Sequence, residues 1–416
     1  MGNGVGMSVS SKESTGRQVR NSGWRPPRLS VDVWLIIVVF ILLVFGLLMV
    51  YSASTDYSMV VLGEAPTYMF QRQLVFALVG ILLAGFLAWF DYHRYERFAI
   101  PIIVVTIVSL AGVLFVNEVI NNAARTLIGG SVQPSESAKL AVVIYLAIWL
   151  YARKEQLSSV SFGLIPLSVI LGIIGGLILL QPDLSATLTI FIIGGIMFFL
   201  AGGDLRQIVL FLVVGTIVGW VVFTFHPTGS QRLSEYVVSI RDLTQAPLHL
   251  SRSLEALVKG SWFGVGIGRA ETKLTGLPVP PTDSIFAVIG EEVGLLGSTV
   301  VVTLFAVLLW RGLKIAHNAP DGLGRLLAAG LCIWLAIEAF INMAVIVGLV
   351  PFAGNALPFI SYGGSNLVVS LAAIGILLNI SRVSARSQEK EERSLDAVID
   401  LRRRDRRWGV SSARRS

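Results

Sequence analysis

A proline-rich polar segment, Pro278-Val-Pro-Pro-Thr282-Asp283, delivers a carboxylate to the mouth of an apolar run that begins at Ile285, and Glu291 and Glu292 follow inside that run. An ionisable group at membrane depth costs roughly 2.5–3.5 kcal/mol on insertion scales, so three acids so close together need a function or a pairing partner. A second cluster is Gln133-Pro134-Ser135-Glu136-Ser-Ala-Lys139. If a helix starts near Pro134, Glu136 and Lys139 share a face and can pair, either for a site or only to lock helices together. Arg125 adds a cation on the adjoining loop. In the third cluster, Gln181-Pro182-Asp183-Leu184-Ser185, Asp183 has the ordinary place of an N-cap. The fourth runs from Gly348 to Asn366 and holds Pro351, Pro358, Gly354, Ser361, Tyr362, Gly363, Gly364 and Ser365. Such backbone cannot make a continuous membrane helix and is tolerated at depth only when buried in protein or lining a wet cavity. A re-entrant turn lining a site is the reading, with a plain external loop as the alternative. These residues suit a membrane enzyme or transporter.

The elements that must position them are membrane helices. Of 416 residues 54% are hydrophobic and 14% charged, and mean hydropathy is +0.75, far from a soluble domain. Ten apolar runs recur between Val33 and Ile380, each near the length a bilayer requires once its flanks are included. The expected fold is an all-α integral membrane protein: a polar leader (1–31), a ten-helix domain (32–382) with a large external loop (226–283) before the eighth helix, and a basic tail (383–416) expected to be disordered. No small-residue cleavage pattern follows the first run, so it reads as a retained span. The net charge of +7 is concentrated in the leader and in Arg402–Arg404, Arg406 and Arg407 of the tail. Juxtamembrane arginine and lysine are explained by the positive-inside rule rather than by nucleic acid. With the leader cytoplasmic, Arg94, Arg97, Arg153, Lys154, Arg206, Arg311 and Lys314 fall on the same side, and the four clusters fall outside.

Within the large loop, Leu248–Val258 has the spacing of an amphipathic helix along the membrane surface. The glycine-rich run Gly260–Arg269 that follows has no strand before it, so tightly turned backbone is preferred to a nucleotide site. Cys332 is single and set in an apolar run, a small core residue. The four histidines lack metal-ligand spacing, and zinc is not expected.

In this order the clusters resemble the SEDS family of polytopic cell-wall polymerases. The family's Gln-Pro-Ser-Glu with a following Lys is matched at Gln133–Glu136 and Lys139, and its Gln-Pro-Asp-Leu at Gln181–Leu184. Its Thr-Asp-x-Ile-Phe-Ala-x-x-x-Glu-Glu-x-Gly is matched from Thr282 to Gly294, and its Leu-Pro-x-x-Ser-Tyr-Gly-Gly-Ser from Leu357 to Ser365. The resemblance spans roughly Val33 to Arg382 and implies ten spans with both termini cytoplasmic. It implies glycosyl transfer on lipid II outside the membrane, with release of undecaprenyl pyrophosphate. Asp283 inherits the essential role, either as general base or as holder of a divalent metal, magnesium or manganese, with no organic cofactor. Arg125 and Lys139 are the candidate cations for the leaving pyrophosphate. Gln133, Ser135, Glu136, Asp183, Thr282, Glu291, Ser361, Tyr362 and Ser365 are the other candidate substrate contacts. An N-cap role for Asp283 is the structural alternative, and it does not exclude catalysis.

The sequence departs from the family in three places. Pro-Val-Pro-Pro-Thr stands where many relatives have Pro-Glu-x-His-Thr, no tryptophan follows Arg125, and Ser185 replaces a usual glycine. These touch substrate contacts more than the reaction. The surroundings of Lys273–Asp283 and Gly266-Ile-Gly268 look closer to division-type than to elongation-type members. A class B penicillin-binding protein and other divisome proteins are the implied partners, with no nucleic acid. The rival reading is a lipid II flippase or transporter, which would set its decisive charges at the midplane and break helices in both halves of the fold. A scaffold would leave Asp283 and the Glu136–Lys139 pair without purpose.

Overall fold

The computed structural model describes residues 31–116, 119–120, 123–124, 133–225, 227–242 and 245–412, with the backbone alone beyond Lys390. The described helices are α1 (Val33–Val60), α2 (Tyr68–Trp89), α3 (Tyr95–Val116), α4 (Pro134–Ala152), α5 (Ile165–Leu179), α6 (Leu184–Leu200), α7 (Leu205–Phe225), α8 (Pro227–Arg241), α9 (Leu248–Gly260), α10 (Ile285–His317), α11 (Gly322–Ile346) and α12 (Gly364–Ser412). Among the described residues the one sheet is a two-residue antiparallel ladder, Val119–Ile120 with Ala123–Ala124. The all-helical membrane architecture is therefore as expected. Among the described residues eight helical segments are long and apolar enough to cross a bilayer, and α6 and the stretch Leu205–Val221 are shorter apolar helices.

α11 and α12 are the most buried spans and α2 the least, its Leu78, Leu82, Phe86 and Trp89 facing outward. In lipid, helices associate through close packing rather than through the hydrophobic effect, and small residues mark the closest approaches. A Cβ on Gly375 of α12 would meet the backbone of Ala84 on α2, and one on Gly312 of α10 would meet Cys332 of α11. Cys332 is accordingly a buried core residue.

α10 is broken at Gly294, which sits at φ 70°. The break frees backbone groups on both sides, and the glycine-rich run after α9 takes them up. Val265 N–H donates to the Glu291 carbonyl at 2.9 Å and Gly266 N–H to that of Glu292 at 3.0 Å. Leu295 and Leu296 N–H groups return bonds to Ser261 and Trp262 carbonyls at 2.9 and 3.2 Å. Gly264, at φ 79°, touches the Glu292 backbone where a Cβ would stand, so the run is glycine-rich in order to enter the break. Gly264→Ala is expected to lose about 1–3 kcal/mol from overpacking, read as a lower thermal midpoint in detergent. Gly268→Ala, at φ 83° but with open space around the position, should lose about 1 kcal/mol from backbone strain alone.

The tail departs from expectation, since α12 continues as helix through Ser412. Between Arg382 and Arg407 the chain has no glycine or proline and is rich in Arg, a strong helix former that extends a helix already nucleated in the membrane domain. At the end of the bundle shared by the starts of α1 and α11, Asp32 caps α1 and pairs with Arg311, while Asp321 caps α11 and meets Tyr92 and His93.

Candidate functional site

Each polar cluster of the sequence begins a helix. Pro134 is the first residue of α4, Asp183 is the N-cap of α6, Ser284 is the N-cap of α10, and Gly364 opens α12. The four N-termini meet at one end of the bundle around a cavity of about 380 Å³. Its wall includes Arg72, Phe76, Gln133, Glu136, Lys139, Asp183, Ser185, Thr282, Asp283, Asn355, Tyr362, Ser365 and Asn366. Helix N-termini present unpaired N–H groups and the positive ends of their dipoles, so the cavity is suited to an anion despite its three carboxylates.

One side of the cavity is an ion and hydrogen-bond network. Asp183 Oδ1 accepts from Ala186 N–H at 3.2 Å, the cap expected from sequence. Its Oδ2 accepts from Ser135 Oγ at 3.0 Å and Gln133 Nε2 at 3.1 Å, tying α6 to α4. Ser365 Oγ accepts from Gln133 N–H at 2.9 Å, and Asn366 Nδ2 donates to Glu136 Oε2 at 2.8 Å, tying α12 to α4. Lys139 pairs with Glu136 at 2.9 Å as its spacing predicted, and it also pairs with Glu338 of α11. Lys139 and Glu338 are both buried, 3% and 1% exposed, so the ammonium is held between two carboxylates.

The other side is irregular backbone. Residues 347–363 contain no helix, and Leu357, Phe359 and Ile360 within them are buried against α1, where Gly46 touches Phe359 and Ile360. This is the buried re-entrant segment the prolines and glycines predict. It is stitched to the segment before α10: Ser361 Oγ donates to the Thr282 carbonyl at 2.8 Å and Tyr362 N–H to that of Pro281 at 2.8 Å. Asp283 is half-buried between them, and a Cβ on Gly354 would stand 3.6 Å from its Oδ2. The N-cap position of α10 is Ser284, one residue later, so Asp283 is not the cap that its place in the sequence suggested.

Ser284 Oγ donates to the Pro278 carbonyl at 2.6 Å, which leaves it to accept from His249 Nε2 at 2.9 Å. His249, on α9 against Phe352, therefore carries its proton on Nε2, and burial pushes its pKa down to about 4. The unfolded chain, with the ordinary value of 6.5, binds a proton in this range that the folded chain refuses. Stability is thus expected to fall as pH drops from 6.5 towards about 4, by at most about 1.4 kcal/mol per pH unit, and to level off below. His249→Gln should flatten that slope in thermal unfolding across the same range.

Among the sequence candidates, Gln133, Glu136, Lys139, Asp183, Thr282, Asp283, Tyr362 and Ser365 line the one cavity, and Ser135 and Ser361 brace its walls. Arg125 lies outside the described residues. Glu291 is corrected: it is fully buried away from the cavity, where it accepts from Glu271 N–H at 2.8 Å and from the Thr272 hydroxyl and N–H. Its neighbour Glu292 accepts from Ser52 Oγ at 2.6 Å and from Lys273 Nζ at 3.4 Å. The two acids in the helix have pairing roles, and Asp283 alone of the three reaches the cavity. Sequence reasoning missed Arg72, Asn355, Asn366 and Glu338. A single acid in the apolar run Leu326–Val350 was a legible signal for Glu338.

Among the described residues no group of three or more His, Cys, Asp or Glu side chains could hold a metal ion by itself. Magnesium commonly needs only one or two protein carboxylates when substrate phosphates and waters complete its shell, so a single Asp283 beside an anion-suited cavity fits such an ion.

A multi-pass helical membrane protein whose polar motifs close one charged cavity at the helix ends, with a carboxylate on its wall, belongs to the class of membrane-embedded enzymes. More particularly, the chain belongs to the FtsW, RodA and SpoVE family of cell cycle proteins, whose family model matches residues 33–386. It is 38% identical over 365 residues to a probable peptidoglycan glycosyltransferase FtsW of Trichlorobacter lovleyi, covering 86% of this chain and 95% of that one. It is 36% identical over 369 residues to stage V sporulation protein E of Bacillus subtilis, covering 86% and 98%. Its fold is similar to the crystal structure of the rod shape determining protein RodA of Thermus thermophilus, with TM-score 0.62, 25% identity and coverage of 86% and 98%. It is also similar to a chain of a peptidoglycan synthase complex described as coordinating polymerization and crosslinking, with TM-score 0.71, 26% identity and coverage of 86% and 99%.

Proposed function

We propose that this chain is a peptidoglycan glycosyltransferase that polymerises lipid II into glycan strands at the outer face of the cytoplasmic membrane and releases undecaprenyl pyrophosphate. The observation that carries it is the single cavity uniting Asp283 with Arg72, Lys139 and four helix N-termini. In the reaction a sugar hydroxyl attacks an anomeric carbon, Asp283 accepts the hydroxyl proton, a new glycosidic C–O bond forms and the bond to the diphosphate breaks. The leaving diphosphate gains negative charge, which the helix ends and Arg72 are placed to stabilise, whereas the charge of Lys139 is spent on Glu136 and Glu338. A divalent metal bound by Asp283 and the substrate phosphates would supply further charge neutralisation.

Relatives named FtsW and stage V sporulation protein E, at 36–38% identity against 25% for RodA, support a division-type role at the septum over elongation. The similarity to a chain from a synthase complex supports a class B penicillin-binding protein as partner, alongside other divisome proteins. The positive-inside pattern supports cytoplasmic termini, 1–31 and 383–416, around the membrane domain 32–382. The break in α10 favours no transport path, because the chain's own loop fills it and its residues do not line the cavity.

The test is polymerisation of purified lipid II by this protein with a transpeptidase-inactive partner. Glycan strands carry the proposal. No strands, together with lipid II crossing vesicle membranes, would replace it with a transporter.

A further inference from the structure

Asn342 lies on α11, one turn beyond Glu338, and is 3% exposed. Its side-chain amide donates to two backbone carbonyls at once, Asp283 at 3.0 Å and Asn355 at 2.5 Å. Those carbonyls belong to the two irregular segments on either side of Asp283. Neither segment has a helix or strand ladder of its own to hold it. The Ser361 and Tyr362 bonds join one irregular segment to the other, whereas Asn342 ties both to a regular, deeply buried helix.

The amide orientation follows from its partners, since flipping it would set an oxygen against two carbonyl oxygens. The same orientation leaves Asn342 Oδ1 buried without a partner. A buried unsatisfied acceptor costs about 1–3 kcal/mol, and native structures retain few of them. The side chain is therefore kept for its two donated bonds.

We infer that Asn342 is a positioning residue for Asp283, fixing the peptide that aims the carboxylate at the acceptor hydroxyl. The inference rests on the proposed polymerase reading, in which Asp283 takes the proton. Because Arg72 and the N-termini of α4 and α6, which are suited to the diphosphate, stand on other elements, loss of the bridge should spare substrate binding and strike the chemical step. A displacement near 1 Å at a reacting group costs on the order of 10²-fold in rate.

The experiment measures lipid II polymerisation by the protein with its transpeptidase-inactive partner, for wild type and for Asn342→Leu, Asn342→Asp and Asn342→Gln, with thermal midpoints recorded for each. Leucine keeps the volume and removes both donors, while Asp at this buried position between two carbonyls is protonated, keeps the shape and can donate only one bond. For both, kcat is expected to fall about 10- to 100-fold with KM for lipid II within about twofold. Gln restores an N–H donor and should recover part of kcat. If Asn342→Leu does not fold, the Asp and Gln variants decide. A folded Leu or Asp variant, in which the two-carbonyl bridge is broken, with wild-type kcat, or a loss confined to KM, overturns the positioning role. Wild type that makes no strands overturns the polymerase reading itself, and the positioning role with it.

Discussion

Asp283→Asn is expected to abolish strand formation, with turnover at least about 10³-fold below wild type, while the protein folds and binds its partner normally. Removing a positioned general base typically costs 10²–10⁴-fold, and here the proton acceptor, the negative charge and a metal-binding carboxylate would vanish together. Asparagine is nearly isosteric, and the bond that Asn342 donates to the carbonyl of this residue at 3.0 Å survives the substitution. The walls of the cavity should therefore stand unchanged. A variant with a wild-type thermal midpoint and no glycan product is the expected result. Retained polymerisation by Asp283→Asn would remove the carboxylate from the mechanism and shift attention to the other acids of the wall, Glu136 and Asp183.

Lys139→Met is expected to destabilise the protein by about 3–5 kcal/mol, the largest stability loss foreseen for a single change at the site. The ammonium sits between Glu136 and Glu338, and its removal leaves two carboxylates facing each other, one of them 1% exposed. From sequence alone the same argument points to Glu136→Ala, as the change that strands Lys139. Structure reverses the order: without Glu136 the lysine still holds Glu338, and Glu136 stands at the wetter edge of the cavity with Asn366 as a further partner. Glu136→Ala should lose only about 1–2 kcal/mol. Unfolding in detergent compares the two, and a combined Lys139→Met, Glu338→Leu variant should recover part of the loss by removing the uncompensated charge. Equal losses for Lys139→Met and Glu136→Ala would show that Glu338 contributes nothing to the pairing.

Sequence by itself determined what local physics controls. Bilayer thickness made the apolar runs legible as membrane helices. Helix-start chemistry was legible too: Pro134 at the first position of α4 and Asp183 capping α6 are rules written within a few residues. The i, i+3 spacing of Glu136 and Lys139 was read correctly for the same reason.

Only the tertiary structure decided which polar groups meet across helices. Glu338 is 199 positions from Lys139, Asn342 is 59 from Asp283, and Ser52 is 240 from Glu292. It also sent Glu291 away from the cavity to Thr272, and drove the glycine-rich loop into the break of α10. In a chain that is apolar all round, hydrophobic patterning says little about which face meets which neighbour. Close contacts of small residues and single polar pairs select the arrangement, and their partners cannot be read along the chain.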